Sequence, residues 1–273
     1  MSTAIEKTGF LTLHRPEGDV AYEVSGSGPL IVCTPGMGDL RTSYRFLAPE
    51  LVAAGFRVAV MDLRGHGDSA ATFSEYGDRP TAGDIEAVVV ELGGPAILVG
   101  NSMGAGSAVI VAGERPDLVR GLVLVGPFVR DPSTSRLVRL VTRMLMARPW
   151  AAWSWNSYLP KLYAGRRPDD FVEYRRSVVA NLKRPGYKRA FSLTTRTRHD
   201  VAERALAAIT APSLIVMGQQ DPDFSDPALE ASWIGQKLVA EIVMVPEAGH
   251  YPHSQRPDVV GPAVIQFAHQ VSA

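Results

Sequence analysis

Eight short apolar runs punctuate this chain, several of them nearly unbroken Val, Ile and Leu: Phe10–His14, Val20–Val24, Leu30–Thr34, Arg57–Met61, Ala96–Gly100, Leu118–Val125, Ser213–Met217 and Glu241–Val245. A run without polar alternation has no face to offer to water, so it must be covered on both sides, the situation of a parallel strand between two helical layers. Helical patterns fall between the runs, at Tyr44–Ala54, Thr81–Leu92, Ala105–Glu114, Pro227–Lys237 and Pro257–Val271. Pro16-Glu17-Gly18 separates the first two runs as a hairpin turn would, so the sheet is expected to begin antiparallel. The pattern predicts a mostly parallel eight-stranded sheet flanked by helices. A length of 273 residues, 46% of them apolar, is enough for one such domain with an insertion.

The insertion is visible as a break in the alternation. From about Arg130 to Ala208 no strand-like run occurs, and helical segments rich in Arg, Met and aromatics are interrupted by Arg148-Pro149, Leu159-Pro160 and Arg184-Pro185-Gly186. The expected division is a core of residues 1–129 and 209–273 with a helical cap at 130–208, inserted after the sixth strand and lying over the C-terminal edge of the sheet, where such sheets bind ligands. The net charge of +0 conceals an asymmetry: Phe128 to Ala205 holds 14 Arg and 3 Lys against six acidic residues, a net +11, and the remainder is −11. Two readings follow. The arginines are solvated or paired with the acidic body, or they form a basic lid that attracts an anionic substrate or an anionic surface.

Several function classes receive no support. Met1–Phe10 lacks the basic and apolar regions of a signal peptide, and no stretch approaches the ~18 apolar residues of a membrane span. The lone Cys33 lies inside an apolar run, reads as a buried strand residue, and fits a reducing cytoplasm. Walker A, dinucleotide and zinc-ligand patterns are missing, so no cofactor, metal or nucleic-acid partner is expected.

Chemistry is carried by Gly100-Asn101-Ser102-Met103-Gly104-Ala105, which follows Ala96-Ile97-Leu98-Val99 and opens a helical run. A strand that turns sharply into a helix needs small flanking residues, and it leaves the serine exposed at a helix N-terminus that favours negative charge. A serine needs a base. Of six histidines, His14, His199 and His269 read as structural or solvent-exposed and His66 as loop packing. His250, after Gly249 and the last strand, is the expected base, with His253 at the rim. The imidazole in turn needs a carboxylate to fix its tautomer. Asp221 and Asp223 both follow the seventh strand; Asp221 is nearer its end and is preferred, with Asp131 third and Asp62 and Asp68 left to stabilise turns.

Ser102, Asp62-Leu63-Arg64-Gly65-His66-Gly67, Gly218 to Asp221 and Gly249-His250 occur in the order that resembles α/β-hydrolases with a helical cap. The resemblance implies an oxyanion hole from the backbone N–H groups of Met103 and Met37, the latter in Thr34-Pro35-Gly36-Met37-Gly38, where the family often has His-Gly in place of Pro35-Gly36. Gly36, Asn101 and Tyr251 are expected at the substrate pocket. Met37, Met103, Met144, Met146, Trp150, Trp153 and Trp155 suggest an apolar lining. The serine at the elbow separates the chain from dehalogenases and epoxide hydrolases, which carry aspartate there, and Tyr251 stands where carbon–carbon hydrolases usually have tryptophan. The expected activity is cleavage of a carboxylic ester, lactone or thioester of a small molecule, anionic substrates included, through an acyl-enzyme. The alternatives are a carbon–carbon hydrolase, an acyltransferase, or a slow-turnover ligand sensor that keeps the triad.

Overall fold

The computed structural model describes residues 11–131, 140–141, 144–147 and 149–273. Phe10, the start of the first expected strand, and the N-terminal segment before it lie outside these. All eight strands form one sheet: β1 Leu11–Arg15, β2 Gly18–Ser25, β3 Leu30–Thr34, β4 Arg57–Met61, β5 Ala96–Asn101, β6 Val119–Val125, β7 Ser213–Gly218 and β8 Glu241–Val245. Their spatial order is β1-β2-β4-β3-β5-β6-β7-β8. β1 and β2 form the expected hairpin, β2 pairs antiparallel with β4, and every later pairing is parallel. β3, β5 and β7 are buried at every residue, as unbroken apolar runs require.

Helices cover both faces. α2 (Asp78–Glu91), α3 (Met103–Glu114) and, after the insertion, α8 (Pro227–Leu238) close one core with Ile85, Val88, Val109 and Ile234. α1 (Leu47–Ala53) and α10 (Pro257–Ser272) close the other with Leu47, Leu51, Val260, Val264 and Phe267. Between β6 and β7 run α4 (Ala151–Leu162), α5 (Phe171–Leu182), α6 (Tyr187–Thr194) and α7 (Asp200–Ala205), and no strand is described there. α4 to α6 contribute Trp155, Leu159, Tyr174 and Phe191 to a third apolar cluster, in which Tyr251 also packs. Ala202 of α7 and Leu206 belong instead to the large core beneath α3. The short helix α9 (Pro252–Gln255) follows β8.

Because β3, β5, β7 and β8 run parallel, the segments that leave their C-terminal ends emerge on one edge of the sheet. Met37, Ser102, Asp221 and His250 all sit in those segments. Topology thus gathers residues separated by more than 200 positions.

Candidate active site

Ser102 stands between β5 and α3 with φ 55° and ψ −121°, a conformation that side chains rarely adopt and that must be held by its surroundings. The surroundings are close. A Cβ on Gly100 would lie 2.5 Å from the Gly104 carbonyl oxygen, and one on Gly104 would lie 2.5 Å from that of Thr34. The Ser102 N–H donates to Val125 O at 2.9 Å, and its carbonyl accepts from Ala105 and Gly106 at 3.0 and 3.3 Å. Met103 is the first residue of α3, so its N–H has no intrahelical acceptor. Gly36 backs onto the serine: a Cβ there would meet Ser102 Cβ at 2.8 Å and Asn101 Oδ1 at 3.1 Å.

The loop that carries Met37 is pinned from two sides. His66 Nε2 accepts the Gly38 N–H at 3.0 Å, and Trp155 Nε1 donates to Gly38 O at 2.8 Å. His66 Nδ1 lies 2.9 Å from Arg64 O, an atom that can only accept, so Nδ1 carries the hydrogen and Nε2 is the acceptor. Burial pulls this imidazole down to about 4, which keeps it neutral. The expected loop-packing role of His66 is therefore a specific one.

His250 is buried and donates from Nδ1 to Asp221 Oδ2 at 2.7 Å; Asp223 Oδ2 is 3.8 Å away. The Asp221 side chain is 0% exposed and that of Asp223 18%. Asp223 accepts a short hydrogen bond from the Tyr158 hydroxyl and so spends part of its charge elsewhere. Burial lowers the His250 pKa, but the charge and hydrogen bond of Asp221, followed by the charges of Asp223 and Asp39, outweigh it and raise the imidazole to about 9. Asp221, Asp223 and His250 are also the three described side chains whose ligand atoms converge within 4.8 Å. A cation there would have to break the Nδ1–Asp221 hydrogen bond.

Ser102 and His250 line one cavity of about 360 Å³, a size suited to a small organic molecule. Met37, Met103, Phe128, Leu145, Met146, Trp155 and Leu162 give it apolar walls, and Tyr158, Thr194, Thr195, Thr197, His199, Asp223 and Tyr251 complete it. Three of the expected pocket residues are elsewhere: Met144, Trp150 and Trp153 are exposed and do not line the cavity. Gly36 does not line the cavity either, nor does Asn101. Its buried Nδ2 donates to Val125 O and His250 O, at 3.0 and 3.1 Å, and ties the elbow to the histidine loop. His253 is a further correction, for it is buried rather than at a rim, with its ring 4.7 Å from that of Tyr44. Asp131 accepts the His199 N–H at 2.8 Å, Asp62 accepts the N–H groups of Arg41 and Asp68, and Cys33 is buried with its thiol pushed up by desolvation. His14 and His269 are exposed, as expected.

Among the described residues no arginine or lysine lines the cavity. Several arginines of the basic segment are bound to the body instead: Arg130 to Glu230 at 2.9 Å, Arg184 to Gly67 O at 2.6 Å and Arg189 to Phe73 O at 3.2 Å. Asp39 carries no role in the sequence pattern, and His199 only that of a structural or solvent-exposed residue. Both acquire one through residues more than 100 positions away: Asp39 accepts from the Tyr174 hydroxyl and burial pushes it up to about 6, while His199 pairs with Asp78.

A strained serine at a helix N-terminus and a buried imidazole–carboxylate pair thus meet at a largely apolar cavity over a mostly parallel sheet. Residues 31–263 match the alpha/beta hydrolase family, and the chain belongs to that family. Its relatives include the 2-(acetamidomethylene)succinate hydrolase of Mesorhizobium japonicum, 29% identical over 98% of both chains. An sn-1-specific diacylglycerol lipase of Mus musculus is 27% identical over 88% of this chain and 80% of its own. A thermophilic esterase from Thermogutta terrifontis shares the fold with a TM-score of 0.79 and 24% identity, over 98% of this chain and 100% of that one. No described helix is long and apolar enough to cross a membrane.

Proposed function

We propose that this hydrolase cleaves a carboxylic ester, lactone or thioester of a small molecule through an acyl-enzyme, with Ser102 as nucleophile, His250 as general base and Asp221 as the carboxylate that orients it. The observation that carries the reading is that Ser102, at φ 55°, and His250, hydrogen-bonded to Asp221, line one cavity. With Nδ1–H committed to Asp221, Nε2 is the nitrogen left to take the serine proton. The serine oxygen then attacks the carbonyl carbon, and the N–H groups of Met37 and Met103 receive the oxyanion; one such donor is typically worth ~10²–10³ in turnover. The imidazolium returns its proton to the leaving alcohol, and water repeats the sequence on the acyl-enzyme. Residues 130–208 act in this proposal as the cap that closes the cavity, and the lone buried Cys33 suits a cytoplasmic setting.

Ser102→Ala is the direct test. Turnover of p-nitrophenyl esters should fall by about 10³–10⁶, with an unchanged circular-dichroism spectrum. A variant that keeps a substantial fraction of activity would refute the nucleophile. A stoichiometric burst followed by almost no turnover in the wild-type protein would favour the sensor reading instead.

A further inference from the structure

The cavity holds a second imidazole–carboxylate pair that the reaction outlined above does not use. His199 Nδ1 lies 2.8 Å from Asp78 Oδ2, with side-chain exposures of 13% and 2%. His199 sits just before α7 and Asp78 opens α2, so the pair joins the insertion to the body. Both imidazoles lie against Phe128, with ring centroids 5.5 Å from His199 and 5.7 Å from His250, which keeps them within about 11 Å of one another. One small ligand can span that distance.

Four hydroxyls of this wall are already committed. Thr194, Thr195 and Thr197 donate their hydroxyl hydrogens to the carbonyls of Ala190, Ser192 and Thr194, and Tyr158 donates to Asp223. His199 differs. Its Nδ1 is engaged and its backbone N–H is taken by Asp131, while Nε2 makes no hydrogen bond among the described residues and belongs to a ring on the cavity wall. Three carboxylates lie near it, those of Asp78, Asp131 and Asp200; the exposed Arg198 and Arg204 pair with Asp131 and Asp200, at 3.5 and 2.7 Å, and His199 is the partner of Asp78. Burial pushes the Asp78 carboxyl up, and the hydrogen bond and charge of His199 oppose that shift. A protonated ring bound to Asp78 through Nδ1 presents its second N–H to the cavity.

We propose that His199, held by Asp78, is a substrate-anchoring residue that binds a carboxylate on the substrate, so that the preferred substrates are esters bearing a carboxylate a few bonds from the scissile carbonyl. This rests on the serine-hydrolase reading and deepens it. It also separates two ways of handling an anion: the cavity recognises the charge with a histidine on its wall, whereas the arginines around it hold the cap to the body.

The test compares mono-p-nitrophenyl succinate and glutarate with their methyl esters, which match them in shape and carry no charge. The protein variants are His199→Gln, which keeps an uncharged donor toward Asp78, and His199→Gln with Asp78→Asn, which leaves no buried charge unpaired if the single variant folds poorly. A charge-assisted hydrogen bond of typical strength corresponds to about 10- to 100-fold in the ratio of kcat/KM values, acid over methyl ester. That ratio should fall by this factor in either variant, with the methyl esters losing at most a few-fold. Binding of succinate and glutarate monoesters to the Ser102→Ala protein, by calorimetry, should weaken equally on adding His199→Gln, and this readout does not depend on turnover. No preference for the acids in the wild-type protein, an unchanged ratio in the variants, or equal losses for acid and methyl ester would each overturn the proposal. Failure of the serine assignment shows separately, as activity that survives Ser102→Ala.

Discussion

Asp221 and Asp223 are two residues apart, and replacing each by asparagine separates their contributions. At an effective dielectric of about 20, unit charges at 2.7 and 3.8 Å attract by about 6 and about 4 kcal/mol, so distance alone gives Asp221 an advantage of only about 2 kcal/mol. The hydrogen bond adds more, because the single Nδ1–H can serve one acceptor and it serves Asp221. Asp223 is partly exposed and shares its charge with the Tyr158 hydroxyl, which reduces its pull on the imidazole. Asparagine at position 221 can also turn its NH₂ toward Nδ1, which moves the ring hydrogen to Nε2 and leaves nothing to accept the serine proton. Removing one partner of a buried pair costs about 3–5 kcal/mol, so Asp221→Asn should lower kcat by roughly 10²–10⁴. Asp223→Asn should lower it by no more than about tenfold. The assay is steady-state hydrolysis of a p-nitrophenyl ester over a pH series, with thermal unfolding as a check on folding. A larger loss for Asp223→Asn would refute the reasoning and move the orienting carboxylate by two residues.

Two further outcomes follow from the same geometry. His250, raised from its ordinary 6.5 to about 9, should give kcat/KM that climbs with pH above neutrality, and Asp221→Asn should move that limb to lower pH; a limb below 6.5 in the wild type would contradict the charge balance. Since the folded protein holds this proton more tightly, the stabilisation is complete below 6.5 and is lost as pH rises through about 9, at up to about 1.4 kcal/mol per pH unit, which denaturant titrations across that window measure. Gly36→Ala should push its new methyl into Ser102 and lower kcat by about 10², since displacements near 1 Å cost that much; kinetics together with a melting curve distinguish this from simple unfolding.

The sheet, its antiparallel start and the elbow around Ser102 were legible in the chain because each depends on neighbours in sequence. Unbroken runs such as Leu30–Thr34 and Ala96–Asn101 demand cover on both faces, and Gly100 and Gly104 flank a turn that tolerates nothing larger. Strand order along the chain also indicated which segments would share one edge. Pairings made by packing across that edge were not legible. A preference for Asp221 came from its place after β7, but the 2.7 Å contact with His250 depends on how two loops meet. His253 gave no sign that Tyr44 would bury it, and Trp150 and Trp153 gave none that their side chains would face water. His199 and Asp78, 121 positions apart, meet only because the insertion folds back onto α2. Local sequence fixes backbone period and turn geometry, whereas the partner of a buried charge is selected by desolvation, which acts on whatever the tertiary fold brings within reach.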